Sequence, residues 1–171
     1  SGVRSTAVGY NALNAIVTAN DSTAVGYNAL LLDTGGSNIA LGSQAGDNIT
    51  SGASNIIIGM NIDAPSATAS GQLSIGNLIF GTSLGETGTT ISDGNVGIAT
   101  TTPGAKLAID MQSGAGIGFY LAGNSQSTAD LFRISTSTAS ATSTAFIIDS
   151  NGKVGIGATT TPGSLLSVQG I

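Results

Sequence analysis

The residues of this chain able to do acid–base or metal chemistry are few. They are nine carboxylates: Asp21, Asp33, Asp47, Asp63, Glu86, Asp93, Asp110, Asp130 and Asp149. Against them stand only Arg4, Lys106, Arg133 and Lys153, with no His and no Cys. Without imidazole or thiol, Cys–His and Ser–His–Asp nucleophilic machinery is excluded, as are thiolate and imidazole metal sites. Two carboxylates are enough for glycoside hydrolysis, but most of these stand beside Gly, Asn, Ser or Pro. There aspartate ordinarily holds a turn through side-chain-to-backbone bonds. The expectation is therefore no enzyme, no catalytic residue, no cofactor and no metal.

Asp33, Asp47 and Asp63 fall in successive polar loops, and stacked loops would bring them near one another, as hard cations favour. No D-x-D or G-G-x-G-x-D pattern accompanies them, so a calcium ladder is not expected. Gly116-Ile-Gly118 and Val154-Gly-Ile-Gly157 open no helix and are not phosphate loops. Tyr10 and Tyr27 recur in register, and stacked tyrosines on a repeat pack more often than they bind. Asn11 and Asn28 recur likewise and are expected to form an Asn ladder. Tyr120 and Arg133 are the weak hints of a recognition surface. Asn20-Asp-Ser and Asn48-Ile-Thr are formal glycosylation sequons of the kind that arise by chance in so Asn-, Ser- and Thr-rich a chain.

The elements that position these groups are short. Charged residues are 8% and hydrophobic residues 40%, with 26 Gly among 171 residues. Aliphatic and β-branched residues in brief blocks separated by Gly suit many short strands and tight turns rather than a disordered chain. Four scattered cations in a net charge of −5 cannot form a basic face, which excludes nucleic-acid binding. No run is long enough to insert into a membrane and no basic leader precedes an apolar stretch. The chain opens on Ser1 in what reads as mid-repeat and is expected to be a piece of something longer. Absence of Cys is compatible with an extracellular β-structure.

The strongest signal is internal repetition. STAVGYNAL occurs at 5–13 and again at 22–30. Aligned on the closing glycine, the rungs are STAVG, STAVG, NIALG, NIIIG and QLSIG, ending at Gly9, Gly26, Gly42, Gly59 and Gly76, with spacings of 17, 16, 17 and 17. Thr6, Thr23, Ile39, Ile56 and Leu73 lie two residues before Val8, Val25, Leu41, Ile58 and Ile75, so strand alternation puts both columns on one face. Val8, Val25, Ile39, Leu41, Ile56, Ile58, Leu73 and Ile75 are taken as the apolar core of the coil and its oligomer. Ala7, Ala24, Ala40, Ile57 and Ser74 occupy the other face. The glycines turn the corner, a second short strand follows at Tyr10–Leu13 and Tyr27–Leu30, and polar loops close each coil.

A coil of 16–17 residues is too thin to enclose a core alone. Stacking buries the coil-to-coil surface, and the exposed apolar flank is covered most simply by copies of itself. A homotrimer is expected.

These S-x-A-x-G and N-x-A-x-G rungs resemble the head repeats of trimeric autotransporter adhesins. The GYNAL ending with its longer spacer is similar to β-roll repeats of phage tail fibres and large bacterial surface proteins. The resemblance covers roughly residues 1–80 and implies a trimeric parallel β-roll.

Beyond residue 85 another repeat takes over. DGNVGIATTTPGAKLAI at 93–109 matches NGKVGIGATTTPGSLLSV at 151–168, with one residue inserted. Asp93-Gly94 and Asn151-Gly152 read as two-residue hairpin turns, and Pro103-Gly104 and Pro162-Gly163 as further turns. Strands are expected at Val96–Ile98, Ala105–Ile109, Gly116–Leu121, Leu131–Ser135, Ala145–Asp149 and Ser164–Val168, with Phe146–Asp149 pairing Lys153–Ile156. The stretches 125–130 and 135–145 read as low-complexity connectors. This module resembles shaft modules of phage tail fibres, tailspikes and bacterial surface proteins, which implies intertwined trimeric β-structure. The whole is thus read as all-β: a parallel β-roll or β-solenoid of five coils at 1–84, then a β-rich stalk at 85–171, assembled as a homotrimer. The function expected is that of a structural segment of an extracellular fibre or filament, on a bacterial or virion surface, with itself as partner and end-to-end polymerisation open to it. The alternative is an adhesive head recognising host glycan or matrix.

Overall fold

The structure is a computed structural model in which residues 4–15, 21–85, 89–110, 131–138, 141–157 and 166–168 are described. These residues are all-β, with no helix among them. The chain divides into two compact units, 1–118 and 119–171.

The first unit is one eight-stranded sheet whose strands lie in sequence order: β1 (Thr6–Val8), β2 (Thr23–Val25), β3 (Ile39–Leu41), β4 (Ile56–Ile58), β5 (Leu73–Ile75), β6 (Ile79–Gly81), β7 (Val96–Ile98) and β8 (Leu107–Ile109). The first five are parallel and form a β-solenoid of about four turns. Thr6, Thr23, Ile39, Ile56 and Leu73 align across it, as do Val8, Val25, Leu41, Ile58 and Ile75. The register is thus the one given by aligning the sequence on its glycines.

The inside of the coil is the reverse of the expected one. Ala24, Ala40, Ile57 and Ser74, the middle residues of their strands, have no exposed surface, and Leu13, Leu30, Ile49 and Ile62 fill the remaining space. Val8, Val25, Ile39 and Leu41 are exposed, and Ile56, Ile58, Leu73 and Ile75 are half-buried. The reason is width. A coil this thin takes a small residue, alanine or serine, at three of these four buried positions, so most of the larger aliphatics of the strands point outward.

The corner after each glycine is a turn, not the expected second strand. Asn11, Leu13, Asn28 and Leu30 all have φ between 50° and 56°, which no extended ladder accommodates. Ala29 N–H donates to Gly26 O across Tyr27-Asn28, with the positive φ at the third residue that marks a type II turn. The same turn recurs at Gly9–Ala12 and Gly42–Ala45. It bends the chain enough to fold Leu13 and Leu30 into the interior.

At Gly76 the direction changes. Gly76 and Asn77 have φ of 59° and 53°, and Leu78 N–H donates to Ile75 O in the manner of a type I′ hairpin turn. β6 then runs antiparallel to β5 and to β7, while β7 and β8 are parallel. The sheet therefore carries through residue 85, the point where the sequence repeat changes. Asp93-Gly94 is not a hairpin tip, because β6 and β7 are joined by the whole of 82–95. Gly94 instead lies against the Thr82 carbonyl, too close to admit a side chain.

The second unit is a four-stranded sheet in the order β12-β11-β10-β9, formed by β9 (Phe132–Thr138), β10 (Ala141–Ile148), β11 (Val154–Ile156) and β12 (Leu166–Val168). β9, β10 and β11 are antiparallel, and Phe146, Ile147 and Ile148 pair with Ile156, Gly155 and Val154 as expected. The run 135–145 is strand over most of its length rather than connector, since its β-branched threonines favour extended chain. At Asn151-Gly152 the turn holds three residues, with Gly152 at φ 76° and its N–H bonded to Asp149 O. That is the longer hairpin with glycine in the left-handed position. β11 and β12 are parallel, Val154 opposite Leu166, just as Val96 faces Leu107 in the first copy of the module. The strand expected at 116–121, the stretch 125–130 and the Pro162-Gly163 turn lie outside the described residues.

Candidate functional site

Among the described residues most of the chemistry-bearing groups are dispersed, with a structural partner close by. Asp33, fully buried, accepts hydrogen bonds from Gly35 N, Gly36 N, Asn38 Nδ2 and Ser22 Oγ. Its four donors satisfy a carboxylate that would otherwise be costly to bury. Asp149, also buried, accepts from Asn151 N and Lys153 N and so closes the β10–β11 turn. Asp21 is held by Arg4 at 2.6 Å and Asp93 by Lys106, both pairs exposed. Lys106 keeps the Asp93 carboxyl below the usual carboxylate range. Glu86 and Asp130 lie outside the described residues.

Two carboxylates do meet. Asp47 and Asp63 occupy neighbouring places one coil apart, bracketed by Gly46 N→Ile62 O at 2.8 Å and Asn48 Nδ2→Ala64 O at 2.9 Å. Partial burial, then the repulsion and hydrogen bond of Asp63, push Asp47 above the usual carboxylate range. Asp33, which the sequence placed in series with them, is turned inward to its own donors. Among the described residues no group of three or more metal-ligating side chains occurs.

Tyr10 and Tyr27 stack with ring centroids 5.8 Å apart and planes within 9°, both exposed. Asn11 and Asn28 supply the left-handed turn residue and do not form the expected ladder. The ladder is at another position, the first letter of each rung. Ser22 N donates to Ser5 Oγ, Asn38 N to Ser22 Oγ, Asn55 N to Asn38 Oδ1 and Gln72 N to Asn55 Oδ1. The signal was legible, since every rung begins with a residue bearing a side-chain oxygen acceptor. Asn48 of the second sequon is engaged as well, donating to Ala64 O and accepting from Ala64 N.

Of the residues expected to shape the coils, Gly9, Gly26, Gly42 and Gly59 have φ from 130° to 145°, and Gly76 makes the reversal. Pro103 is buried, and its carbonyl accepts from Asn95 Nδ2. Pro162 lies outside the described residues. A further concavity is an open hollow of about 510 Å³ lined by Asn77, Phe80, Ala99, Thr100–Thr102 and Asp110.

What the strands leave exposed is apolar. The outward row Val8, Val25, Leu41, Ile58, Ile75, Ile79, Ile98 and Ile109 is aliphatic on all eight strands of the first unit, and no strand residue on that face is charged. In the second unit, Ile134, Ile156, Leu166 and Val168 are exposed on one face by register. Comparison with known protein families, curated proteins and solved structures found no match.

Proposed function

We propose that this chain is a structural segment of an extracellular homotrimeric fibre, on a bacterial or phage surface, assembled through the outward face of its solenoid. The observation that carries this reading is the uncharged aliphatic row running across eight strands. At about 4.8 Å per strand it forms a seam roughly 34 Å tall. A continuous apolar patch of that size is a typical mark of an interface. The seam is only two side chains wide, and a three-fold axis lets three thin coils bury both columns around a common centre. The likeness of the rungs to trimeric adhesin heads and tail-fibre β-rolls supports the same arrangement. On this reading the chain bears load rather than turning over a substrate.

The native mass in solution is the test. A particle of three chain masses, dispersed to single folded chains by Leu41→Asp, is the expected result. A wild-type chain that stays monomeric at high concentration would overturn it, and an indefinite polymer would replace the discrete trimer by an end-to-end filament.

A second reading, an adhesive head, is favoured by the hollow beside β6 and β8. Its hydroxyl and amide groups over the buried Phe80 ring suit a neutral glycan rather than an anion, because its one charged group is Asp110. A glycan array that stays blank for wild type would remove this reading.

A further inference from the structure

We propose that Asp47 and Asp63 form an acid-strengthened clasp between the third and fourth coils of the solenoid, so that coil-to-coil adhesion increases as pH falls. The argument begins with the backbone. Gly46 N donates to Ile62 O at 2.8 Å on one side of the pair. On the other, Asn48 Nδ2 donates to Ala64 O at 2.9 Å and Ala64 N to Asn48 Oδ1 at 3.0 Å. Residues 46 and 48 are thereby tied to residues 62 and 64, and Asp47 and Asp63 between them have no freedom to separate by more than a side-chain rotation.

Two carboxylates in contact can hydrogen-bond only if one carries a proton, which its O–H then donates to the other. With both ionised the contact becomes a like-charge pair, destabilising between neighbouring strands or turns. The surroundings offer no relief. The groups acting on Asp47 are Asp63 and Gln44, with no cation among them. The coil before presents Leu31 and Leu32 ahead of Asp33, which is buried against Ser22 and Asn38. Of the cations in the same unit, Arg4 is bound to Asp21 and Lys106 to Asp93.

The sign follows from proton binding. Asp47 holds its proton more tightly in the fold than in the unfolded chain, so the fold gains stability as pH falls through the raised value. The gain is complete once the unfolded aspartates are protonated too. Neutral pH is where the repulsion is felt in full. Most surface carboxylates behave in the opposite way, which makes the pair distinguishable from the general acid response.

The experiment compares wild type with the near-isosteric variants Asp47→Asn and Asp63→Asn by thermal unfolding, from neutral pH down to about pH 4. At neutral pH each single variant is expected to melt a few degrees higher than wild type, and the gap is expected to close on acidification. Carboxyl-carbon NMR of the wild-type chain reads the same pair without any substitution, with an Asp47 midpoint above the ordinary aspartate range. A gap that does not change with pH, or an ordinary Asp47 midpoint, would overturn the clasp. Since unfolding and titration are read rather than native mass, the result stands apart from the fibre reading.

Discussion

Replacing Gly26 with alanine tests whether the closing glycines are held by backbone geometry or merely by habit of sequence. Gly26 has φ 145°, a region closed to residues with a Cβ, and forcing alanine into it costs roughly 1–3 kcal/mol. The new methyl would also point at the next coil. It would overlap the Gly42 carbonyl oxygen and stand 2.9 Å from Ser43 N, both backbone atoms that cannot rotate away. Relief requires the two coils to part there, which loosens Gly42 N→Val25 O at 2.8 Å and Gln44 N→Tyr27 O at 2.7 Å. At about 1 kcal/mol for each bond, the total loss is about 3–5 kcal/mol, a large share of the ~5–15 kcal/mol available to a folded domain. Gly76→Ala is the matched control. Its φ of 59° is left-handed, but nothing lies within 4 Å of the added methyl, so it should lose only about 1–2 kcal/mol. Urea unfolding followed by far-UV circular dichroism gives both numbers, and amide exchange at Gly42 and Gln44 locates the damage. If Gly26→Ala were no worse than Gly76→Ala, close backbone approach between coils would not be what selects these glycines.

Two other outcomes follow from the same structure. Asn55→Leu should lose about 1–3 kcal/mol in urea unfolding, because Gln72 N–H forfeits its acceptor inside a buried ladder; a change within 0.5 kcal/mol, the range of ordinary surface substitutions, would refute the ladder's importance. Lys106→Ala should return the Asp93 titration to the usual carboxylate range while leaving the melting temperature nearly unchanged, since the pair is solvent-exposed. Whatever small stability that pair provides is present above the unfolded aspartate pKa and fades as pH falls through the lowered one. A clear drop in melting temperature at neutral pH on losing Lys106 would contradict this.

The register of the solenoid was legible because Gly26, Gly42 and Gly59 recur where coil must meet coil, and the spacing of 16 or 17 residues fixes which residues stack. Which face is inside was not legible from hydropathy. Ile39 and Leu41 are more apolar than Ala40, yet Ala40 is the buried one, because interior volume rather than polarity selects the residue. Nor could the corner be read. Leu13 and Leu30 at positive φ defy intrinsic preference and are held there by the core they fill. The misplaced Asn ladder has a simpler cause. Asn11 and Asn28 repeat identically, whereas the true ladder drifts from Ser through Asn to Gln and repeats only in chemistry. The meeting of Asp47 with Asp63 sits in loops of unequal composition, and stacking alone brings them together.

That drifting ladder bears on how such a chain acquires its length. Each rung offers an oxygen to the rung after it and takes one from the rung before, so a duplicated 16- or 17-residue unit spliced between Ser22 and Asn55 arrives already fitted at both joints. Gln72 breaks the succession. Its longer arm reaches back to its own loop, with Oε1 accepting from Ser66 N and Nε2 donating to Ser66 O and Ala69 O, and it offers nothing onward. Gene duplication can therefore lengthen this solenoid upstream of Gln72 at little structural penalty, and STAVGYNAL, written twice, has the form such an event would leave.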